Sequence, residues 1–222
     1  MAAAPRRGHF ITLEGGEGAG KSTQARRIVE TLHHMGIKAI ATREPGGTPK
    51  AEELRAALLA GVVAPLGPFA EALAFSAARI DHLDNKIRPA LAAGTWVVCD
   101  RFADSTRAYQ GALGALSPQL LRAMEHVVVG ETRPDLTLML DLDPKAGLGR
   151  AAARRGDNVV DRFEGEGAAF HDALRRAFLD IAKAEPQRCA VIDAARSEND
   201  VAAAIWHEIE QRLDPRDWRT LP

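Results

Sequence analysis

The sequence predicts an α/β fold, a five-stranded parallel sheet with helices on both faces. Three observations lead to this prediction. Short apolar runs alternate with longer helical patterns, polar loops follow the runs, and a glycine-rich loop separates the first run from the first helix. Strands of parallel sheets are almost continuously apolar because helices cover both of their faces. A chain of 222 residues is long enough for one such domain, and we expect residues 1–222 to form it.

The predicted elements alternate along the chain. Apolar runs bounded by turn residues predict five strands: Phe10–Leu13, Lys38–Thr42, Thr95–Asp100, Leu136–Leu142 and Arg188–Asp193. Helical spacing of apolar residues predicts seven helices: Ser22–Met35, Pro49–Ala60, Pro68–Ala93, Ser117–Gly130, Pro144–Arg155, Gly165–Ala184 and Asn199–Leu213. Right-handed crossovers bring the carboxyl ends of all strands to one edge of the sheet, where ligands bind in such folds. Functional side chains are therefore expected in the loops after the strands.

The composition excludes several classes of protein. Hydrophobic residues make up 46% and charged residues 27%, as in ordinary globular domains, and a net charge of −1 gives no overall field to attract nucleic acid or a membrane. No apolar span is long enough for a transmembrane helix, and residues 1–8 lack the apolar region of a secretory signal, so we expect a flexible tail there. Cys99 and Cys189 form no metal-spaced pair, which favours a reducing, cytoplasmic location.

The loop after the first strand is a complete phosphate-binding motif, G-x-x-x-x-G-K-[ST]. Its glycines let backbone N–H groups point at phosphate oxygens, Lys21 reaches the β- and γ-phosphates, and the Ser22 hydroxyl can bind Mg²⁺. The following helix directs its positive dipole end at the phosphates. This context favours a three-layer P-loop NTPase fold over a glycine-rich turn with an idle lysine. The expected nucleotide-binding residues are Gly15, Gly16, Glu17, Gly18, Ala19, Gly20, Lys21, Ser22 and Thr23.

A charged pair follows the third predicted strand. Asp100 ends the apolar run Val97–Cys99, where it can hold Mg²⁺ beside Ser22, and the planar guanidinium of Arg101 can span two phosphates. The alternative is an Asp–Arg pair that only caps the strand end. Glu17 lies inside the phosphate loop, where a carboxylate is repelled unless it bonds a sugar hydroxyl or a metal. Otherwise Glu17 is a variable loop residue.

Two helical segments carry further candidates. Phe75 and Arg79 lie four residues apart on one helix face, so a ring and an arginine could hold a base, although such a pair alone more often reflects core packing and a surface ion pair. Arg150 and Arg154 lie one turn apart, a repulsive arrangement that bound phosphate would reverse. With Arg155 and nearby glycines they predict a short, mobile, basic lid over residues 144–166. The alternative is a solvated charged helix.

From Phe10 to about Leu213, the chain resembles the thymidylate kinases. The most specific similarity is the run from Asp100 to Gln110, DRFADSTRAYQ, which looks like the family's D-R-[YFH]-x-x-S-x-x-A-Y signature. The segments REPGGT (43–48) and FSAAR (75–79) also fit the family pattern. The resemblance implies transfer of the γ-phosphoryl group of ATP to dTMP, giving dTDP and ADP for dTTP biosynthesis, with Mg²⁺ as cofactor.

The resemblance also implies individual roles. Phe75 stacks on thymine, Arg79 bonds its O4, Thr106 meets the base edge, and Tyr109 lies under the deoxyribose. Glu17 lies near the sugar and phosphate of dTMP, and Arg101 bridges the donor and acceptor phosphates. The dTMP-binding residues implied in this way are Glu17, Pro45, Phe75, Arg79, Arg101, Ser105, Thr106, Tyr109 and Gln110.

The resemblance is to the bacterial type of the family. The phosphate loop holds Glu17 and Ala19 but no arginine, and in this type arginines of the lid act instead. Asp161–Glu164 matches the D-R-x-E that closes the family's lid. The catalytic residues implied are Lys21, Arg101, Arg154, Glu17, Arg150 and Arg155, with Arg154 the first choice within the lid. The family also implies a homodimer paired through helices, for which the apolar face of 68–93 is the candidate.

Two other functions remain open from the sequence. One is a kinase of a different nucleoside or nucleotide on the same fold, against which the Phe75–Arg79 and Ser105–Tyr109 features argue. The other is a nucleotide-dependent switch. Residues 85–88 read NKIR and lack the aspartate of a guanine-reading N-K-x-D motif, so a GTPase switch is disfavoured.

Overall fold

A computed structural model of the chain describes residues 6–112, 116–155 and 163–218. It contains five strands: β1 (Phe10–Glu14), β2 (Ala39–Arg43), β3 (Trp96–Asp100), β4 (Leu136–Asp141) and β5 (Cys189–Asp193). All neighbouring strands pair in parallel, in the order β2-β3-β1-β4-β5. The predicted α/β fold and all five predicted strands are confirmed.

The helices are α1 (Lys21–His34), α2 (Pro49–Leu59), α3 (Pro68–His82), α4 (Arg88–Ala92), α5 (Ala103–Ala112), α6 (Pro118–Val129), α7 (Pro144–Arg155), α8 (Ala168–Ala184) and α9 (Glu198–Leu213). Short 3₁₀ turns cover Ala64–Leu66 and Pro215–Trp218. A π-helical segment, Leu83–Ile87, joins α3 to α4 within the helix predicted over 68–93. The wider turn precedes Pro89, which has no N–H to continue an α-helical ladder. Helix α5 was not predicted from the sequence.

The central strand β1 lies between two hydrophobic clusters. All five of its residues are buried. Ile11 and Leu13 belong to the cluster that α1 and α9 cover, whereas Phe10 belongs to the cluster formed with the π-helical segment, α4 and β3. Helices therefore cover both faces of the sheet, and the register places Leu13 beside Asp100 at its carboxyl edge. The two loops with the most specific sequence motifs thus leave the sheet side by side.

Two peripheral observations complete the fold. Within the part of the chain that the structure describes, no helix has the length and apolarity needed to cross a membrane. Residues 1–5 of the predicted tail lie outside the described residues. Arg7 forms an ion pair with Asp135 at 3.0 Å, and the Gly8 N–H donates to the Leu91 carbonyl at 2.8 Å, so the end of that tail contacts the body of the protein.

Candidate active site

The phosphate loop connects β1 to α1 at the carboxyl edge of the sheet. The Lys21 ammonium is folded back over the loop and donates to the carbonyl oxygens of Gly15 and Gly16 at 3.1 and 2.7 Å. Burial, followed by the charge of Arg101, lowers the pKa of Lys21 to about 8. Nζ is therefore still mostly protonated at neutral pH, and it lies inside the loop where phosphate oxygens would replace the two carbonyls.

The loop packs directly against the first turn of α7. A Cβ on Gly18 would lie 1.9 Å from the carbonyl oxygen of Gly147, and one on Gly147 would lie 2.3 Å from the carbonyl oxygen of Glu17. Real Cβ atoms do not approach so closely, so only glycine fits at either position. This backbone contact fixes the start of the predicted lid against the phosphate loop.

Ser22 and Asp100, the two residues predicted to hold a metal ion, lie side by side. Asp100 ends β3, Ser22 lies in the first turn of α1, and the Ser22 hydroxyl donates to Asp100 Oδ2. Among the described residues no three His, Cys, Asp or Glu side chains cluster to hold an ion on their own. Mg²⁺ in nucleotide sites usually takes one or two protein oxygens and completes its shell with phosphates and water. One hydroxyl and one carboxylate at the mouth of a phosphate loop fit that mode.

Arg101 lies at the centre of the site. Its backbone φ is 69°, a left-handed conformation that is uncommon for a residue other than glycine and marks functional sites. Nη1 donates to the Gly15 carbonyl at 3.1 Å and to Ser105 Oγ at 3.3 Å, and Nη2 donates to Glu17 Oε1 at 2.5 Å. The guanidinium also lies over the Tyr109 ring, 5.2 Å from its centroid.

Glu17 is a paired, mostly buried carboxylate. It accepts from Arg101 and, at 2.8 Å, from the Tyr109 hydroxyl. Burial works against its charge, but the charges of Arg101, Lys21 and Arg154 and the hydrogen bond from Tyr109 together outweigh burial and lower the pKa of Glu17 to about 2. Burial raises the pKa of Tyr109 well above its ordinary value, so that residue remains a neutral donor. The sequence left the contacts of Glu17 open, and the structure pairs it with two residues of the run from Asp100 to Gln110.

A cavity of about 100 Å³, which we call the aromatic cavity, lies between α3 and α5. All nine residues predicted to bind dTMP line it: Glu17, Pro45, Phe75, Arg79, Arg101, Ser105, Thr106, Tyr109 and Gln110. Sequence reasoning missed five further lining residues: Glu44, Arg55, Leu59, Phe102 and Phe163. Arg55 donates to the Pro45 carbonyl at 2.8 Å and is the least expected, because the helical pattern of α2 gives it no distinction from its neighbours.

Arg79 is held rigidly at the wall of this cavity. Its Nε donates to Glu44 at 2.7 Å, and Nη2 donates to the Phe102 carbonyl and to Thr106 Oγ1, both at 3.1 Å. Glu44 in turn contacts Nδ1 of the fully buried His82 at 3.1 Å. The sequence suggested a surface ion pair as the alternative for Arg79, but the pair is buried, with each side chain no more than 5% exposed. Such a geometry leaves a fixed donor for a planar ligand.

A second cavity of about 160 Å³, the polar cavity, lies over the phosphate loop. Lys21, Ser22, Asp100 and Arg154 line it. It shares four residues with the aromatic cavity: Glu17, Glu44, Arg55 and Arg101. The two cavities therefore meet at the Arg101–Glu17 ion pair, where a group bound in one would face a group bound in the other.

The predicted lid arginines separate in the structure. Arg154 lines the polar cavity, and its charge contributes to the low pKa of Glu17. Arg150 instead donates from Nη1 to the Ala194 carbonyl at 2.9 Å. The side chain of Arg155 and residues 156–162, which include Asp161 and Arg162, lie outside the described residues. Beyond that gap, Phe163 lies 5.1 Å from Tyr109 and 6.3 Å from Phe75, between ring centroids.

Comparisons with known proteins agree with this geometry. The family model described as thymidylate kinase matches residues 13–205. A thymidylate kinase from Bradyrhizobium diazoefficiens is 53% identical over 209 residues, covering 94% of this chain and 92% of the relative. One from Rhodopseudomonas palustris is 54% identical over 208 residues, covering 93% and 90%. The crystal structure of thymidylate kinase from Ehrlichia chaffeensis matches with a TM-score of 0.74 at 32% identity, covering 91% of this chain and 99% of that one. The chain belongs to the thymidylate kinase family.

Proposed function

We propose that this protein transfers the γ-phosphoryl group of ATP to dTMP, giving dTDP and ADP. The observation that supports it most is the junction of the two cavities at Arg101 and Glu17. A base held in the aromatic cavity directs its phosphate toward this junction, and the phosphate loop presents the donor from the other side. Nothing in the site or the relatives favours the two alternatives, another nucleotide kinase or a nucleotide-dependent switch.

The aromatic cavity suits a pyrimidine nucleotide. Phe75 offers a ring face for stacking, and the fixed guanidinium of Arg79 donates to a carbonyl oxygen such as O4 of thymine. Thr106 accepts from Arg79 and so contributes to the same edge. Tyr109 and Glu17 form the floor on which the deoxyribose rests. Pro45, Ser105 and Gln110 complete the wall.

The polar cavity suits the phosphate groups of the donor and the acceptor. Lys21 and the loop N–H groups hold the donor phosphates, and Arg101 lies where donor and acceptor phosphates meet. Ser22 and Asp100 would hold Mg²⁺, which when bound offsets charge on the β- and γ-phosphate oxygens. Glu17 keeps Arg101 aimed at the junction by its 2.5 Å ion pair. We assign the remaining charge stabilisation to Arg154 of the lid, residues 144–166.

The reaction is tested by incubating the purified protein with ATP and Mg²⁺ and following ADP. ADP should form only when dTMP is added, and dTDP should appear in equal amount. ADP formation without any acceptor would indicate a switch or ATPase. Formation with dAMP, dCMP or dGMP in place of dTMP would indicate a different nucleotide kinase.

Phe75→Ala should weaken dTMP binding far more than ATP binding. Loss of base–aromatic stacking costs roughly 1–3 kcal/mol, or about 5- to 150-fold in affinity. Calorimetric titration with dTMP and with a non-hydrolysable ATP analogue measures both affinities. Leu66→Ala, which removes an exposed apolar side chain in the turn just before the same helix, serves as the control and should leave both affinities unchanged. Equal weakening of both ligands by Phe75→Ala would assign Phe75 to packing instead.

We also propose that the protein is a homodimer paired through α3 and α6. The two helices pack on each other and share an apolar surface. Its large exposed members are Phe69, Leu73, Ile80, Leu120 and Val127. Their spacing forms one stripe on each helix, and monomers rarely expose a contiguous apolar patch of this kind. A second copy of the chain can cover it by two-fold pairing of the same patch.

The double variant Leu73→Glu/Val127→Glu is expected to sediment as a monomer while the parent sediments as a dimer. Each change buries a charge in the proposed contact. Val191→Glu, at a 51% exposed position on the edge strand β5, is the matched control and should remain dimeric. A parent that is monomeric at every concentration, or a double variant that stays dimeric, would refute the pairing.

The proposed function also implies a cellular location and a class of ligands. We place it in the cytoplasm, which its free, buried thiols at Cys99 and Cys189 support. Its ligands are small nucleotides, and the near-zero net charge of −1 gives no reason to add nucleic acid or a membrane as a partner.

A further inference from the structure

Glu14 is a buried carboxylate that the proposed reaction does not use. It is the last residue of β1, directly before the phosphate loop, and is 0% exposed. Acidic side chains are rarely buried this completely without partners. All of its recorded hydrogen bonds go to the start of α5. Oε1 accepts from the Phe102 N–H at 2.7 Å and the Ser105 N–H at 3.3 Å, and Oε2 accepts from the Ser105 hydroxyl at 2.6 Å.

These bonds continue directly to Arg101. The Ser105 hydroxyl donates to Glu14 and accepts from Nη1 of Arg101 at 3.3 Å. The same Nη1 donates to the carbonyl of Gly15, the residue that follows Glu14. Strand β1, the start of α5 and the Arg101 guanidinium are therefore joined in one closed set of hydrogen bonds. The set lies between the phosphate loop and the residues that line the aromatic cavity.

The burial of this carboxyl group carries a cost. Burial, with a contribution from nearby Asp104, raises the pKa of Glu14 to about 7, so its charged form is disfavoured in the folded protein. A solvent-exposed Ser, Asp or Asn could cap the start of α5 without that cost. The buried carboxylate joins two segments far apart in sequence, which an ordinary cap at the helix start does not do.

We propose that Glu14 is a positioning residue that fixes the acceptor helix α5 to the phosphate loop and, through Ser105, holds Arg101 between the two phosphates. The inference rests on the proposed function, because it assigns a purpose to the spacing of the donor and acceptor sites. Glu14 touches neither substrate. Loss of its bonds lets the start of α5 shift, and the acceptor site suffers first because Ser105, Thr106 and Tyr109 all project from that helix.

The test compares Glu14→Leu with Glu14→Gln. Leucine is of similar size but accepts no hydrogen bonds. Glutamine keeps one oxygen for the Phe102 and Ser105 N–H groups, and its amide can donate to the Ser105 hydroxyl. Glu14→Leu removes all three hydrogen bonds at once and should raise KM for dTMP about 10- to 100-fold, with KM for ATP within about threefold of the parent. Glu14→Gln should restore KM for dTMP to within about threefold of the parent.

Two further variants keep the test decisive. Ser105→Ala removes the link between Glu14 and Arg101 without disturbing the buried strand. Because Ser105 also lines the aromatic cavity, its effect is compared with and without the Glu14 change. It should raise KM for dTMP selectively, and in the Glu14→Leu background it should add almost nothing, as coupled residues do. Thr12→Val, which removes a buried 2.8 Å hydrogen bond to Thr137 from the same strand, is the matched control and should leave both KM values unchanged.

The outcomes separate the two proposals. A parent enzyme that does not phosphorylate dTMP overturns the proposed function. A parent that does, combined with equal changes in both KM values for Ser105→Ala and the Glu14 variants, overturns the positioning inference alone. So would a Glu14→Leu enzyme that matches the parent, or a Glu14→Gln enzyme as impaired as Glu14→Leu.

Discussion

Lys21→Ala is expected to abolish measurable phosphoryl transfer while leaving dTMP affinity almost unchanged. The Lys21 ammonium lies inside the phosphate loop, bonded to the Gly15 and Gly16 carbonyls, and lines the polar cavity but not the aromatic one. Removal of one hydrogen-bond donor that stabilises charge in the transition state lowers kcat roughly a hundredfold to a thousandfold. Lys21 also carries a full positive charge, so its loss should cost more. The thymine-binding wall, held by Arg79 and Glu44, does not depend on it.

Steady-state kinetics and calorimetric titration with dTMP check this expectation together. Lys38→Ala is a suitable control, because Lys38 is exposed beside the amino end of β2, at the opposite edge of the sheet. It should retain parental kcat and affinity. If Lys21→Ala loses dTMP affinity while its fold is intact, the donor and acceptor cavities have been assigned the wrong way round.

The sequence was sufficient for most of the fold because burial and hydrophobicity coincide in it. Strands β1, β3 and β4 are nearly continuous apolar runs and are buried almost throughout, and the structure changes the predicted ends of all five strands by about one residue. Helix α5 was missed because its buried face carries Ala103, Asp104, Ala108 and Gln110, with no large apolar side chain to show a helical period. The family signature in this run, D-R-F-A-D-S-T-R-A-Y, does not by itself indicate a helix.

The candidate site was predictable where its residues belong to short sequence motifs. Three features can be read from a few neighbouring residues: the phosphate loop, the Asp100–Arg101 pair and the Phe75–Arg79 spacing. No local motif identifies Glu14, Glu44 or Arg55. Their hydrogen-bond partners are ten to ninety residues away in the chain. A glutamate at the end of an apolar strand is unremarkable until Phe102 and Ser105 are seen to donate to it. Hydrogen bonds between residues that are far apart in the sequence cannot be predicted from local patterns.

The arginines of the predicted lid also show that local spacing does not determine long-range contacts. Sequence spacing put Arg150 and Arg154 on one helix face, and the family resemblance made Arg154 the first choice, with Arg150 and Arg155 after it. The structure separates them, since Arg150 is bonded to the Ala194 carbonyl and Arg154 lines the polar cavity beside Lys21 and Arg101. Arg154→Ala is therefore expected to have a much larger effect than Arg150→Ala.

Arg154→Ala should lower kcat by about a thousandfold or more while changing KM for either nucleotide by less than about threefold. Arginines that meet the transferring phosphoryl group supply about 10³–10⁵ in rate. In the proposed ground state, Lys21 and the loop N–H groups already hold the donor, and Mg²⁺ would add to this when bound at Ser22 and Asp100. As transfer proceeds, charge spreads onto the γ-phosphoryl oxygens and the leaving β-phosphate, and a guanidinium of the lid meets that charge mainly in the transition state. Interactions made only there raise kcat without lowering KM.

Steady-state kinetics on a graded set of variants isolates this effect. Arg150→Ala should cost much less in kcat than Arg154→Ala, because its guanidinium is engaged at Ala194. Arg176→Ala, on an exposed position of α8, is the control and should be indistinguishable from the parent. The triple alanine variant at 150, 154 and 155 removes any substitution of one arginine for another. If even that enzyme turns over at the parental rate, the lid is not catalytic and Arg101, held by Glu17 and Ser105, must carry the transferred charge alone.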